Sequence, residues 1–218
     1  TGFYKNVKGY PSTVRVSAEA GANIQTYYAL TNGDFATTKG LEFKLTLRRI
    51  ARIQAQLNYT LTSAEGTGSG ESSYYGAVYR GTQAPTITSP LEFEQAHRGA
   101  LLLDYRFGVD DGGPILERLG ANFIFNFSSG YPYTYAYAPP GGQSDPYTAG
   151  VDYMNDPRSR EALEPINSSV TPWTFNLDAR LDKSFNIVSN LVGTVYIRVT
   201  NLLNTKNTIN VYQNTGSA

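Results

Sequence analysis

The stretch WTFNLDARLDKSF (Trp173–Phe185) decides the fold class. Its odd positions are Trp, Phe, Leu, Ala, Leu, Lys and Phe, and its even positions are Thr, Asn, Asp, Arg, Asp and Ser. Side chains at i and i+2 share a face of a β-strand, so this order builds a strand with one apolar and one polar face. Wound as a helix, the same order would scatter its apolar residues around the axis.

The same period recurs on both sides of that stretch. Ile53, Ala55, Leu57, Tyr59 and Leu61 alternate with Arg52, Gln54, Gln56, Asn58 and Thr60. Leu41, Phe43, Leu45 and Leu47 alternate with Glu42, Lys44, Thr46 and Arg48. Ala121, Phe123, Phe125 and Phe127 alternate with Asn122, Asn126 and Ser128, broken by Ile124. Leu101, Leu103, Tyr105 and Phe107 alternate with Asp104 and Arg106, broken by Leu102. Val195, Ile197 and Val199 alternate with Thr194, Tyr196, Arg198 and Thr200, and a weaker seventh strand covers Phe3 to Tyr10. Tight turns are expected at Arg48–Ala51 and Asn186–Asn190, and a moderate one at Asp110–Arg118, announced by Asp-Asp-Gly-Gly-Pro. Long polar loops are expected over Pro11–Asn23, Glu65–Leu91 and Ala138–Pro172. Short and long connections thus take turns, as in transmembrane barrels with short periplasmic turns and long external loops.

Alternation by itself leaves a soluble sandwich or lipocalin-like barrel open, with the apolar face inward. Length separates the readings. Soluble strands run about 5–6 residues, whereas the alternation here holds for about 10–13. Thirteen residues at about 3.3 Å each cover about 43 Å. Tilted by about 45°, they project to about 30 Å, the thickness of a bilayer's hydrocarbon core. Aromatic residues near the strand ends (Tyr59, Tyr105, Phe107, Tyr131, Tyr133, Trp173, Phe185) suit interfacial girdles. The expectation is an all-β, antiparallel, up-and-down transmembrane β-barrel. Leu57, Leu103, Phe123, Phe125, Leu177 and Ile197 would face lipid. Glu42, Lys44, Asp104, Arg106, Asp178, Arg180 and Arg198 would face the lumen, with pairs such as Asp178 and Arg198 fixing the wall.

Composition agrees and excludes other classes. The 218 residues carry 18 basic and 18 acidic side chains, which marks no nucleic-acid binder. Cysteine is absent, so neither disulfides nor thiolate metal sites hold the fold. Seventeen Tyr and ten Phe favour strands, and 21 Gly with 11 Pro favour many turns. No apolar run reaches the ~18 residues of a transmembrane helix. Thr1-Gly2-Phe3-Tyr4 already reads as strand interior, and Thr215–Ala218 as loop. About seven strands are legible, and single-chain bacterial barrels close with an even number. Residues 1–218 are therefore expected to be part of one larger barrel domain, starting and ending mid-barrel.

Six segments together resemble the C-terminal half of the barrel in TonB-dependent outer-membrane receptors. They are GDFATTKGLEFKLTLRR (Gly33–Arg49), AQLNYTLTSAEG (Ala55–Gly66), FEQAHRGALLLDYRFG (Phe93–Gly108), FSSGYPYT (Phe127–Thr134), FNLDARLDKSF (Phe175–Phe185) and YIRVTNLLNTKN (Tyr196–Asn207). The resemblance implies a 22-stranded barrel closed by an N-terminal plug domain. It also implies residence in the bacterial outer membrane and import of a scarce nutrient of siderophore, cobalamin, glycan or peptide type, powered by an inner-membrane TonB complex. The implied partners are outer-membrane lipid, the remainder of the barrel, its plug, the TonB complex and an extracellular ligand. Plug, coupling peptide and closing strand do not fall within these residues. A passive porin-like channel, and a surface adhesin or assembly component on the same barrel, are the alternatives.

Candidate ligand contacts are loop residues: Tyr74, Tyr75, Tyr79, Tyr147, Tyr153 and Met154, since Tyr combines a rigid apolar body with a hydroxyl handle. Tyr131, Tyr133, Tyr135 and Tyr137 read rather as girdle or loop packing. Asp145, Asp152, Asp156 and Glu161 match no calcium loop, and Gly66–Gly70 lacks the Lys-Ser/Thr of a phosphate loop. His97, the sole histidine, reads as a hydrogen-bonded residue at a strand mouth. Neither a Gly-x-Ser-x-Gly elbow nor a His-Glu-x-x-His occurs, so no enzymatic role and no cofactor or metal is expected. The face assignment predicts that Leu177→Arg costs the embedded protein about 2–4 kcal/mol near the midplane, and Asn176→Arg much less. Denaturant unfolding in lipid measures both, and equal losses would contradict the orientation.

Overall fold

In a computed structural model, the structure describes residues 1–16, 27–69, 87–136, 146–147, 162–188, 191–213 and 215–217. Seven long strands dominate: β1 (Gly2–Val16), β2 (Tyr27–Ile50), β3 (Ile53–Gly66), β5 (His97–Arg106), β6 (Leu119–Ser128), β10 (Thr174–Val188) and β11 (Leu191–Val199). They form one antiparallel meander in the order β1-β2-β3-β5-β6-β10-β11. A two-residue strand, β4 (Ser89–Pro90), adds to the end of β3 at Glu65–Gly66. β1 and β11 are the two edges, and the sheet does not close on itself within these residues. A single helical turn, Gly113–Leu116, lies between β5 and β6. No helix is long and apolar enough to cross a membrane, which says nothing of crossing by strands.

The pairing keeps one parity across the sheet. One unbroken apolar row runs Leu45–Leu57–Leu101–Phe125–Leu177, and the next runs Leu47–Ala55–Leu103–Phe123–Ala179–Val199. On the reverse face lie the rows Lys44–Asn58–Ala100–Asn126–Asn176 and Gln54–Asp104–Asn122–Arg180–Arg198. A slip of one residue at any pair would put charges into the apolar rows, so the pattern itself holds the register. The two breaks in the alternation, Leu102 and Ile124, are direct cross-strand partners. They form an apolar island within the polar face, so neither exposes its side chain to charged neighbours on all sides.

The apolar face is open. Phe43 is 68% exposed, Leu45 62% and Ile197 65%, and among the described residues no second sheet or helix lies over them. The Phe123–Phe127 and Leu177–Leu181 rows lie side by side on this face rather than packing against each other from opposing layers. The buried residues sit at the long-loop end instead, in clusters of Ala36, Ala64 and Leu91 and of Tyr133 and Val211.

Several boundaries differ from the sequence-based expectation; β2 runs on through Arg48–Ile50 and β10 through Asn186–Val188, so strand extends into both expected tight turns. Pro11–Val16 is strand rather than loop and pairs with Tyr27–Asn32, so the β1–β2 hairpin projects beyond the last β2–β3 pair, Ala36 with Gly66. A register shift beside Gly9, whose φ is 74°, and the proline break the alternation there without ending the strand. β5 begins at His97, not Leu101, because Gly99 supplies no side chain to continue the alternation. The turn Asp110–Arg118 contains the helical turn, and Lys183 reaches it from the apolar face. Its ammonium donates to the carbonyls of Ile115 (3.0 Å) and Glu117, which explains the one cation in the apolar series of β10.

Gly120 has a specific steric role. It lies between Arg106 on β5 and Asp182 on β10 in a single cross-strand row. The Arg106 guanidinium crosses over it to bond both Asp182 oxygens, at 2.7 and 3.0 Å. A Cβ on Gly120 would lie 2.5 Å from Arg106 Cζ. Gly120→Ala is therefore expected to cost about 1–3 kcal/mol, the usual range for overpacking. Gly108→Ala, whose Cβ would meet only Asp111 Cβ at 3.8 Å, should be near neutral. Urea unfolding of both variants tests this, and equal losses would refute the steric role of Gly120.

Candidate functional site

The polar face divides into two zones. Toward the short turns it carries a charge ladder. Arg49 pairs with Asp104, Arg106 lies 3.7 Å from Asp104 and 2.7 Å from Asp182, and Arg180 lies 3.7 Å from Asp182. Arg49 enters the ladder from an odd position because the register shifts between Leu47 and Ile50. Asp182 is 6% exposed and held by Arg106 and Arg180 together. Arg180 also stacks on Tyr196, 4.5 Å from the ring centroid. Alternating signs on three strands offset one another and cross-link the sheet.

Toward the long loops the same face turns to amides and hydroxyls. Asn58, Thr60, Arg98, Asn126, Ser128, Tyr131, Thr174 and Asn176 line an open concavity of about 540 Å³. Ser128 and Thr174 hydroxyls bond each other at 2.7 Å, and Asn58 Oδ1 accepts from Gln56 Nε2 at 3.2 Å. Asn207 closes one side. Its amide accepts from Phe175 N–H and donates to Phe175 C=O, both at 2.9 Å, standing in for a strand neighbour beyond the end of β11. The chain reaches that position through Asn201. The Asn201 side chain bonds Thr205 N–H and C=O, while its own N–H donates to Asp178 Oδ1 at 2.9 Å. Asp178 further accepts from Asn176 Nδ2 (2.9 Å) and lies 3.5 Å from Arg198.

The apolar face ends near the loops in a closed circuit of six rings: Trp173, Phe175, Phe125, Phe127, Tyr59 and His97. Adjacent centroids are 5.4 to 6.3 Å apart. Phe127 occupies the space a Cβ on Gly99 would need. The Tyr59 hydroxyl and His97 Nδ1 share a 2.7 Å hydrogen bond, so the histidine is a hydrogen-bonded residue at a strand mouth. Above the sheet, β7 (Pro132–Tyr133) pairs with β9 (Ser169–Val170), and β8 (Pro146–Tyr147) with β12 (Val211–Tyr212). Asn167 ties two long loops together. Its N–H donates to Thr134 Oγ1 and its Nδ2 to Pro90 C=O, each at 2.7 Å.

The seven charged residues Glu42, Lys44, Asp104, Arg106, Asp178, Arg180 and Arg198 share one face, and Leu57, Leu103, Phe123, Phe125, Leu177 and Ile197 share the other. The ion pair between Asp178 and Arg198 forms. Of the loop candidates, Tyr147 lies in β8 opposite Val211. Tyr74, Tyr75, Tyr79, Tyr153 and Met154 lie outside the described residues, as do Tyr137, Asp145, Asp152, Asp156 and Glu161. Among the described residues, no group of three or more His, Asp or Glu could hold a metal ion. Arg98 is the polar-face residue that sequence reading passes over. The signal for it is the continuation of the period through His97, Gly99 and Leu101.

At the short-turn end Arg52 donates to both oxygens of Asp111, at 2.8 and 2.6 Å, with its guanidinium 4.3 Å from the Phe107 ring centroid. These bonds hold the Asp111 carboxyl below the usual carboxylate range, with partial burial opposing and Gly108 N–H assisting. In the long-loop region burial instead raises Glu94, against the Ala64 N–H that it accepts. The two act oppositely on stability. A depressed carboxyl contributes above its unfolded pKa of about 4 and loses that contribution as pH falls through its folded value. A raised one loses stability as pH rises. Asp111→Asn should therefore remove an acid-side loss, so that the stability difference between wild type and variant shrinks below about pH 4. Thermal unfolding across pH measures it, and a pH-independent difference would contradict the pairing. No protein-family model matches the chain, and no curated protein matches it either.

Proposed function

We propose that this chain forms part of the wall of a bacterial outer-membrane β-barrel of the TonB-dependent receptor kind, which imports a scarce nutrient of siderophore, cobalamin, glycan or peptide type. One observation carries the reading: a seven-stranded antiparallel meander presents an uncovered apolar face and a polar reverse face cross-linked by ion pairs. Water on both sides would leave the exposed Leu and Phe rows unsatisfied, because monomeric soluble proteins rarely expose contiguous apolar patches beyond a few hundred Å². Lipid on one side and an aqueous interior on the other satisfy both faces. The two free edges, β1 and β11, require strands from the remainder of the barrel, since open edges do not occur in lipid. The resemblance of six segments to the receptor family supplies the transport half of the reading.

The test uses the full-length protein in cells. Single cysteines at Leu57, Phe125 and Leu177 should resist a water-soluble maleimide, and those at Asn58, Asn126 and Asn176 should react. The reverse pattern, or no difference, would overturn the barrel assignment. Uptake of the four nutrient classes should collapse on addition of a protonophore. Uptake that persists would identify a passive pore instead.

A further inference from the structure

The long-loop zone of the polar face differs from the ladder below it in one respect. Arg106 and Arg180 are engaged by Asp104 and Asp182, but Arg98 makes no ion pair among the described residues. Arg98 is exposed, and its cross-strand neighbours on this face are Thr60 and Ser128, both neutral. The next row toward the turns carries Ala100, Asn58, Asn126 and Asn176, also neutral, with the cation Lys44 at its β2 end. The nearest carboxylates in the pairing scheme are poorly placed to neutralise it. Glu42 lies two strands away in the same row, beyond Thr60, and Asp178 is committed to Arg198, Asn176 and the Asn201 N–H.

A guanidinium presents planar paired donors that match a carboxylate. Amides and hydroxyls at the spacing of adjacent strands match alcohol groups on a small rigid framework. Tyr131, 40% exposed at the rim, offers a ring face to the C–H face of a sugar. Asn58 and Asn176 already spend one amide atom each on Gln56 and Asp178. That fixes their orientation and leaves Asn58 Nδ2 and Asn176 Oδ1 for a ligand. The concavity, about 540 Å³, holds a ligand of one or two sugar rings.

We infer that this concavity is a binding subsite for a hydroxyl-rich carboxylate, a uronic-acid unit of an acidic glycan, with Arg98 holding the carboxylate and Asn58, Thr60, Asn126 and Asn176 the hydroxyls. It rests on the proposal that the polar face lines the barrel interior. The test is calorimetric titration of the full-length protein in detergent with a short oligogalacturonide and with a neutral malto-oligosaccharide of equal length. The acidic ligand should bind at least about 10-fold more tightly, the scale of a charge-assisted hydrogen-bonded pair. Arg98→Gln should abolish that preference, and Arg98→Lys, which keeps the charge but loses the fork, should keep part of it. Arg48→Gln, at the opposite end of the same face, should leave it unchanged.

Equal affinity for the two ligands, no binding of either, or an Arg98→Gln protein that retains the preference would overturn the subsite. None of these touches the barrel reading, which the cysteine labelling decides separately. Labelling that places Asn58 and Asn126 in lipid would remove both. Heat-shifted gel mobility of each variant establishes that its barrel is folded before titration.

Discussion

Strand pairing in constant parity is the constraint on which the rest of this molecule depends. Side chains of a strand alternate, so once two strands are hydrogen-bonded the faces of both are committed. From β2 to β11 most pairings join apolar position to apolar position and polar to polar; Leu102 and Ile124, matched to each other on the polar face, and Lys183, opposite Leu119 and Val195 on the apolar face, are among the exceptions. The outcome is a sheet with one apolar and one polar face. Among the described residues the buried apolar side chains lie mainly at the loop end rather than between two layers.

The polar face solves a problem that the apolar face creates. A sheet held only by backbone bonds and one apolar face has nothing on its other side to resist sliding. Here that side is pinned by Arg49, Asp104, Arg106, Asp182 and Arg180, a run of alternating charge across β2, β5 and β10. The pinning requires a gap, and Gly120 supplies it by carrying no side chain beneath the Arg106 guanidinium. Exposed pairs contribute little one at a time, but Asp182 is buried and doubly paired, so losing its cations would leave a charge with poor access to water.

The loop end is organised by a different chemistry. Amide side chains replace backbone partners where strands run out: Asn207 at Phe175, Asn201 at Thr205, and Asn167 between Thr134 and Pro90. Asn167 and Asn201 adopt positive φ, 59° and 51°, a conformation that Asn tolerates better than most residues. The aromatic circuit from Trp173 to His97 marks the boundary between the apolar face and this polar region, where rings with one apolar face and one hydrogen-bonding atom are best satisfied. Arg98, which makes no ion pair among the described residues, stands on the other side of the sheet at the same level, among neutral hydrogen-bonding groups.

The amino-acid sequence by itself determined the strand class, the number of long strands, the two faces and the short turns, because alternation and turn chemistry are local properties of the chain. Leu57, Phe125 and Leu177 share a face for a reason visible in their own neighbours along the strand. What only the tertiary structure decided depends on which row meets which. The Leu102–Ile124 match, the passage of Arg106 over Gly120 to Asp182, the closing of six rings from four separate segments, and the placing of Arg98 between Thr60 and Ser128 all join residues far apart in the chain. Register between strands sets those meetings, and it is fixed cooperatively by the whole sheet. The hairpin beyond Tyr10 and the start of β5 at His97 were hidden for a related reason: at Gly9, Pro11 and Gly99 the local pattern lapses, and pairing with the neighbouring strand carries the extended backbone through.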